Sequence, residues 1–501
     1  MDIKLFVVGV GLSVGWLFLR SIYRLYFHPL SNFPGPKLAA ISHAYEFYYD
    51  GILGGQFMWE IQRMHEKYGP IVRINPRELH IKDPYFFDQI YTSKKQEKDP
   101  YFVRLFTVPL AAVSTIDHSH HRLRRETLNP FFSKRAVLGL EHIIHDKVEK
   151  VRVALRRAYK NKTVVSLDGI FAALTADVIS HYTYGESIGI LESEDLKNDF
   201  REAVNGASLM CHYTRFVPGV TTILDLIPGV IKWLQPGTKA LFNLKDMIER
   251  NAVLALKGDL KKGAGSAKTI FDSLVDPSLP AEEKTPRRLR DEAIVVLGAG
   301  TETTARVLTV GTFYLYRNPA MLQKLRDELR QVMLEPTSQV ALPELEKLPY
   351  LTAVVNESLR MAHSVTIRLP RIAPTAVLRY GNYDIPPGTP VSQSIYFVHT
   401  DPTVFPHPHK FDPDRWIEAA NRGERLTKFL VPFTKGPRIC LGLNLAYSEL
   451  YQMFAALVRG FDLQIHNTTE ESIRITRDMM IGLPDSDALE VHGLVSNVVS
   501  E

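Results

Sequence analysis

Read from the amino end, the chain opens on an uncharged apolar run, LFVVGVGLSVGWLFL from Leu5 to Leu19. With Ile3 and Lys4, whose ammonium snorkels, this run reaches about 26 Å as a helix, close to the thickness of a bilayer core. HPLSNFPGP follows, and Pro29, Pro34 and Pro36 predict an extended, semi-rigid spacer. Beyond it, apolar residues recur at helical spacing over Arg287–Tyr316, Met321–Met333 and Leu351–Met361. Strand-like runs are short. Ile71–Ile74 and Glu78–Ile81 flank Asn75-Pro76 and predict a hairpin, and a third run covers Ala376–Ile385 ahead of Pro386-Pro387-Gly388. The Lys/Gly-rich stretch 257–268 predicts a mobile connection rather than a boundary, because the apolar helical pattern resumes beyond it. The chain carries no internal repeat and no long low-complexity tract. The expectation is a mainly α fold with small β-sheets (α+β): a membrane anchor at 1–27, a proline-rich hinge at 28–40, and one large unit at 41–501.

Length alone would suggest three domains at about 150 residues each, but the pattern favours one large unit. A composition of 45% hydrophobic and 23% charged residues is that of a folded globular chain, which excludes disordered and fibrous classes. Sixty basic against 55 acidic side chains leave +5, too little and too dispersed to indicate nucleic acid. Cys211 and Cys440 are the only cysteines, so disulfide scaffolds and multi-cysteine metal sites are excluded, while a single thiolate ligand is not. Arg20 and Arg24 follow the apolar run, whereas Asp2 and Lys4 cancel before it, a bias that leaves the carboxyl-terminal bulk in the cytosol. A cleaved signal peptide is the competing reading, but Trp16, Leu17 and Phe18 stand where small residues would precede a cleavage point. In a cytosolic body the sequons at Asn161, Asn356 and Asn467 are chance matches.

The chemistry concentrates around Cys440. Phe433-Thr-Lys-Gly436-Pro-Arg438-Ile-Cys440-Leu-Gly442 runs into a helical pattern, which places the sulfur at a helix amino terminus, where oriented N–H groups favour thiolate. Gly442 permits close approach of a flat cofactor, Arg438 offers a forked donor for a carboxylate, and Phe433 is placed to shield the sulfur. An isolated cysteine is more often a buried structural residue; its neighbours are what reverse that expectation here. Upstream, Gly298-Ala299-Gly300-Thr301-Glu302-Thr303-Thr304 puts residues of low helix propensity inside an apolar helix. Close helix packing explains the small residues but not the adjacent carboxylate and hydroxyl.

The cysteine segment resembles the FxxGxRxCxG signature of the haem-thiolate cytochromes P-450, matched at every fixed position, with Thr434 as a minor departure. The glycine-rich helix resembles the same family's AGx(D/E)T(T/S) motif. The resemblance implies a cytochrome P-450 fold behind an N-terminal transmembrane helix, with haem b bound in the 41–501 domain and Cys440 as axial iron ligand. It also implies Ala299 against the haem, Thr303 hydrogen-bonding the oxygen ligand, and Glu302 delivering protons through water. Glu357-Ser-Leu-Arg360 and Arg415 resemble the ExxR and PERF-like elements and so imply a buried structural triad, with Asp414 in place of the common Glu. His121, Arg125, Arg371 and Arg438 are implied partners of the haem propionates. For each arginine singly, a solvated surface role is the alternative. The three histidines of Asp117-His-Ser-His-His121 invite zinc, a weaker reading, and His399, His407 and His409 in a Pro-rich stretch are taken as surface residues.

By place in the resemblance, Val296, Gly300 and Val307, then Val365 and Ile367, line a substrate cavity, although core packing is as good a reading of each. Their apolar character points to an apolar small molecule. YRLYFHPLSNFPGPKLAAIS and DHSHHRLRRETLNPFFS look like fungal membrane-bound members of natural-product pathways, including those that oxidise trichodiene-type sesquiterpenes. No flavin or dinucleotide fingerprint is present, so the resemblance implies electrons from NADPH through a flavoprotein cytochrome reductase on the endoplasmic reticulum membrane, with a b-type cytochrome as an optional second donor. Lys428, Lys435, Arg122 and Arg124 are the expected docking charges. Two competitors stand: an isomerase or rearranging synthase on the same fold, and a non-catalytic haem or sterol binder at the membrane.

Overall fold

The computed structural model describes residues 3–499 apart from 194–195, 197, 218, 220–225, 227–228, 230–237, 260–268 and 487–488. Most of the connection expected at 257–268 therefore lies outside the described residues.

Helix α1 (Ile3–Ile22) runs on through a π-helical turn at Tyr23–Phe27. None of its apolar window is buried, and by length and composition Phe6–Phe27 is long enough to cross a membrane. The segment after it is fastened rather than loose. Arg73 is 2% exposed, donates from Nη1 to Arg24 O at 2.8 Å and Leu30 O at 3.3 Å, and from Nη2 to Pro76 O at 2.9 Å. Its own amide donates to Pro34 O at 2.7 Å. One guanidinium thus reaches the carboxyl end of the anchor helix and the proline segment together, satisfying carbonyls that the helix end leaves open.

An amino-terminal lobe follows. Helix α2 (Phe57–Tyr68) precedes β1 (Ile71–Arg73) and β2 (Leu79–Ile81), paired antiparallel with Val72 opposite His80. Their turn forms because Asn75 Oδ1 accepts from the amides of Arg77 and Glu78, an Asx turn. With β3 (Glu97–Lys98), β5 (Arg371–Ile372) and β8 (Pro390–Ser392) they make a five-stranded sheet, order β1-β2-β8-β5-β3. The run at Ala376–Ile385 is a second hairpin, β6 (Leu378–Tyr380) and β7 (Tyr383–Ile385), turned at Gly381, φ +54°. β4 (Val164–Ser166), β9 (Phe461–His466) and β12 (His492–Val498) form a three-stranded sheet in the order β4-β12-β9, and β10 (Arg477–Met479) with β11 (Ile481–Leu483) a further pair.

The remaining body is helical: α3 (His118–Leu128), α4 (Glu141–Asn161), α5 (Leu167–Tyr184), α6 (Asp199–Phe216), α7 (Thr238–Lys257), α8 (Pro286–Arg317), α9 (Pro319–Arg330), α10 (Pro349–Ala362), α11 (Asp414–Asn421) and α12 (Leu443–Gly460). One apolar cluster draws together α4, α5, α8, α10 and α12. Helix α8 is its axis, started by Thr285 capping the Arg288 amide with Pro286 in the first turn. It is also apolar enough to span a membrane, but 67% of that window is buried, which makes it the core helix of a globule. Gly300 lets α8 approach α5, since a Cβ there would meet Ile179 Cγ1 at 2.7 Å. His399, expected at the surface, is 0% exposed: it ends the helix Ile395–His399, and its Nε2 accepts the Val431 amide at 2.9 Å. His407 and His409 are exposed.

Candidate active site

The cysteine segment folds back on itself before entering α12. The Cys440 amide donates to Phe433 O at 2.9 Å, and Gly436 sits at φ +76°, where a Cβ would meet Thr92 O at 2.6 Å and Tyr91 O at 3.0 Å. Only glycine fits both conditions. Gly442 is the N-cap of α12, which sets the sulfur two residues before the cap. Burial pushes the Cys440 thiol up from its ordinary value, while the Gly442 amide and the Arg125 guanidinium pull it down by less. Burial thus opposes the thiolate that the helix terminus favours, and a bound cation would shift that balance towards thiolate. The Cys440 side chain is nevertheless exposed, so its sulfur faces an open space, the slot. Gly442 borders the same opening, since a Cβ there would meet nothing within 4 Å.

Helix α8, which packs against α12, leaves a second uncovered patch. Ala299 is exposed in mid-helix, although Leu297 and Thr301 are buried, and Thr303, one turn on, is half-buried with its Oγ1 donating to Ala299 O at 2.7 Å. Two side chains from outside bind carbonyls of this turn: Thr175 Oγ1 to Thr301 O at 2.7 Å and Ser364 Oγ to Thr303 O at 3.1 Å. Glu302 points elsewhere and is 5% exposed; Arg201 of α6 donates Nε to its Oε2 at 2.9 Å and Nη2 to its Oε1 at 3.3 Å. Arg201 also reaches Asp168 Oδ2 at 2.7 Å. Val296 and Val307 share the stripe of Ala299 and Thr303 but are buried in the main core, and Gly300 is occupied by its packing on Ile179. Val365 and Ile367 belong to a separate apolar group with Phe102 and Leu105.

Beside the cysteine loop five basic side chains gather from four segments: His121 and Arg125 of α3, Lys98 of β3, Arg371 of β5, and Arg438. Burial pushes Arg438 down to about 9, with Arg371 adding repulsion. Burial, then Arg438 and Lys98, lowers His121 to about 3, and Lys98 is held well below its ordinary value by burial and by Arg371 and Arg438. Their partners are carbonyls: Arg438 donates to Thr115 O at 2.6 Å and Ile116 O at 2.8 Å, Arg371 to Leu369 O at 3.1 Å, and Lys98 to Val113 O. The buried Nε of Arg438 has no hydrogen-bond partner among the described residues. Such a cluster of like charge fits an anion with two carboxylates. Combined with an accessible thiol, a mid-helix alanine and an open space above Gly442, the donor set fits an iron porphyrin.

Lys98 and Arg201 escaped the sequence reading. Neither lies in a motif, and only the neighbouring segments brought by the fold reveal them. Arg124, expected on a docking face, is instead 7% exposed and donates to Glu283 at 2.9–3.2 Å and to Thr115 Oγ1 at 2.8 Å. Its position between α3 and the segment before α8 turns it inward. Arg122 pairs with Glu126 at 2.7 Å, Lys435 with Asp88 at 2.5 Å, and Lys428 is exposed.

Below the slot, Glu357 of α10 is 0% exposed and accepts from Arg360 Nη2 at 2.7 Å, Arg360 Nε at 3.0 Å, Arg415 Nε at 3.1 Å, Trp416 Nε1 at 2.9 Å and the Asp412 amide at 2.9 Å. Arg360 goes on to His399 O at 2.9 Å and Pro408 O at 2.6 Å, and Arg415 to Pro406 O at 2.8 Å. The three ions pin the loop between His399 and α11. Asp414 takes no part and faces Lys324 at the surface.

A family model described as cytochrome P-450 matches residues 41–489. The monooxygenase aflU of Aspergillus parasiticus is 42% identical over 491 residues, covering 98% of both chains. The monooxygenase TRI4 of Trichoderma arundinaceum is 42% identical, covering 95% of this chain and 93% of its own. A conidiogenone synthase of Penicillium rubens is 44% identical over 92% of this chain and 93% of its own. Among solved structures, the crystal structure of a cytochrome P-450 designated CYP102L1 superposes with a TM-score of 0.72 at 18% identity, covering 92% of this chain and 98% of that one, a likeness of fold. The chain belongs to the cytochrome P-450 family and is an oxidoreductase of its haem-thiolate monooxygenase class.

Proposed function

We propose that this enzyme hydroxylates or epoxidises an apolar small molecule, a fungal secondary metabolite such as a terpenoid, with dioxygen and electrons drawn from NADPH through a flavoprotein reductase. The single observation that carries the reading is the exposed sulfur of Cys440 in its glycine-turned loop, with α8, which packs on α12, leaving Ala299 and Thr303 uncovered in mid-helix. Bound there, haem supplies the redox centre that splits the O–O bond, with a thiolate ligand favouring that cleavage.

The chain's residues divide the remaining tasks. Cys440 gives the sulfur ligand, Phe433 covers it from the side of Tyr447, and Gly442 keeps the space beside it clear. Lys98, His121, Arg125, Arg371 and Arg438 hold two carboxylates and thereby fix the plane of the cofactor. Thr303 offers a hydroxyl on the open face; its proton now rests on Ala299 O, and a rotation about one bond redirects it into the slot. Glu302 relays protons to that hydroxyl through water, which requires one of its two oxygens to leave Arg201. Glu357, Arg360 and Arg415 hold the loop beneath. The anchor places the body on the cytosolic side of the endoplasmic reticulum, within reach of the reductase, and Lys428 and Lys435 present charge to it. The names of aflU and TRI4, both monooxygenases, support that reading, although a third relative is named a synthase.

The test is the spectrum of the purified, reduced, pigment-loaded protein under carbon monoxide. A strongly red-shifted Soret band, lost in Cys440→Ser, is the expected result; a folded, loaded protein without it overturns the ligand assignment. Product formed without reductase or oxygen would instead favour the synthase.

A further inference from the structure

The turn of α8 that carries Thr303 is held from outside the helix. Ser364 Oγ donates to Thr303 O at 3.1 Å, and no other acceptor among the described residues competes for that hydroxyl. In a regular helix this carbonyl has only the Val307 amide as partner, so a side-chain donor arriving from outside draws it outward and sets the tilt of the turn. Ser364 stands two residues beyond the end of α10, where His363 caps the helix with a left-handed backbone, φ +43°. A residue with a Cβ rarely adopts that conformation, and here it turns the chain back towards α8.

The same junction is fastened a second time, in the opposite sense. Arg306, three residues after Thr303, donates Nε to Ala362 O, the last carbonyl of α10, at 2.7 Å. It is 2% exposed, forms no ion pair among the described residues, and leaves its buried Nη2 without a hydrogen-bond partner there. Burial lowers it to about 10, with Glu302 resisting. A buried guanidinium without a carboxylate is costly and adds little to stability. What this arginine does hold is the carbonyl two residues before Ser364.

Helix α10 is also tied to the sulfur side of the site. Arg360, paired with Glu357, donates to His399 O at 2.9 Å, and His399 Nε2 accepts the amide of Val431, two residues before Phe433, at 2.9 Å. One helix thus braces the cysteine loop through Arg360 and the hydroxyl-bearing turn of α8 through Ser364. We propose that Ser364 is a positioning residue for Thr303, and Arg306 a positioning residue for Ser364, the two bonds together holding the Thr303 hydroxyl at a set place relative to Cys440. This role rests on the reading of Thr303 above as the hydroxyl donor of the slot. Such a donor must stand within hydrogen-bond reach of the group it serves, and a shift of about 1 Å loses that reach.

Two measurements on full-length, haem-loaded protein test it. In amide hydrogen exchange read by mass spectrometry, peptides over 299–307 and 309–316 compare the turn with the helix beyond it. Ser364→Ala removes one neutral hydrogen bond, so exchange over 299–307 should quicken about two- to tenfold, while 309–316 is unchanged and the thermal midpoint moves by less than about 2 °C. Infrared spectra of the reduced protein under carbon monoxide then read the slot. The C–O stretch should broaden or split in Ser364→Ala, as the hydroxyl samples more than one place, and return to a single band in Ser364→Thr, which restores the donor. Arg306→Met strands no carboxylate, so its midpoint should hold or rise, yet its exchange and its C–O stretch should follow Ser364→Ala. Unchanged exchange or an unchanged stretch in Ser364→Ala, or no recovery in Ser364→Thr, overturns the positioning role. A midpoint lowered by more than about 3 °C in Arg306→Met makes that arginine a prop of the fold and removes it from the pair. A C–O stretch indifferent to Thr303→Ala would instead sink the reading of Thr303 itself.

Discussion

Replacing Glu357 by Gln tests how far the loop beneath the slot depends on one carboxylate. The substitution preserves size but removes the only charge facing Arg360, 0% exposed, and Arg415, whose side chain is 9% exposed. It also turns an amide NH2 towards donors that now find an oxygen. Stranding buried partners in this way costs about 3–5 kcal/mol, a large share of a typical folding free energy of about 5–15 kcal/mol. At about 2.1 cal/mol/K per residue, a body of this size unfolds with an entropy of about 1 kcal/mol/K, so the thermal midpoint should fall by about 3–5 °C. Asp414→Asn is the matched control: its pair with Lys324 joins side chains 38% and 51% exposed, so its loss is worth about 0–1 kcal/mol. Far-UV circular dichroism at a fixed scan rate gives the midpoints, and Soret loss on the same samples shows whether pigment leaves with the loop. Midpoints of the two variants agreeing within about 2 °C would refute the argument that Glu357 carries the loop.

Gly436→Ala forces a Cβ to within 2.6 Å of Thr92 O at a positive φ, so the cysteine loop should shift at a cost of about 1–3 kcal/mol, read as a smaller fraction of protein with the red-shifted carbon monoxide band. Thr303→Ala removes the hydroxyl nearest the slot and should divert electrons to hydrogen peroxide, lowering product per NADPH on the order of tenfold with any accepted substrate; unchanged coupling counts against the relay. Burial lowers His65 to about 4, with the Gly69 carbonyl resisting, and lowers His399 to about 3, with Arg360 adding repulsion. Both folded values lie below the ordinary 6.5, so the unfolded chain takes up protons first as pH falls, and stability present above about pH 6.5 is lost towards pH 4. Two such groups at about 1.4 kcal/mol per pH unit each give a slope of about 2.7, and urea midpoints that do not move between about pH 7 and 5 would contradict it.

Much of this molecule is legible along the chain because its signals are local. The helix through Ala299 and Thr303 announces itself by apolar spacing, the first hairpin by Asn75-Pro76, and the cysteine loop by its motif, in which Gly436 takes a positive φ with no room for a Cβ. Glu357 and Arg360 are readable for the same reason, being one turn apart. What stayed hidden is set by contacts between distant segments. Lys98 joins the cationic cluster only because β3 pairs with β5, and Arg201 meets Glu302 across 101 positions of sequence. Arg124 misleads in the opposite sense, since a basic residue on an amphipathic helix reads as solvated until Glu283 arrives to bury it. His399 looked superficial because its Pro-rich surroundings read as loop, whereas Arg360 draws that loop into the core.

The seat of Arg73 on the last carbonyls of the anchor helix has a mechanical consequence. A rod joined to a body by a slack cord leaves the body free to roll; one bolted at its end makes the two turn together. With Arg24, Leu30 and Pro76 gripped by one side chain, a tilt of this helix, such as a bilayer would impose on it were it to span one, would be passed to the sheet-bearing lobe instead of being lost in a loose joint.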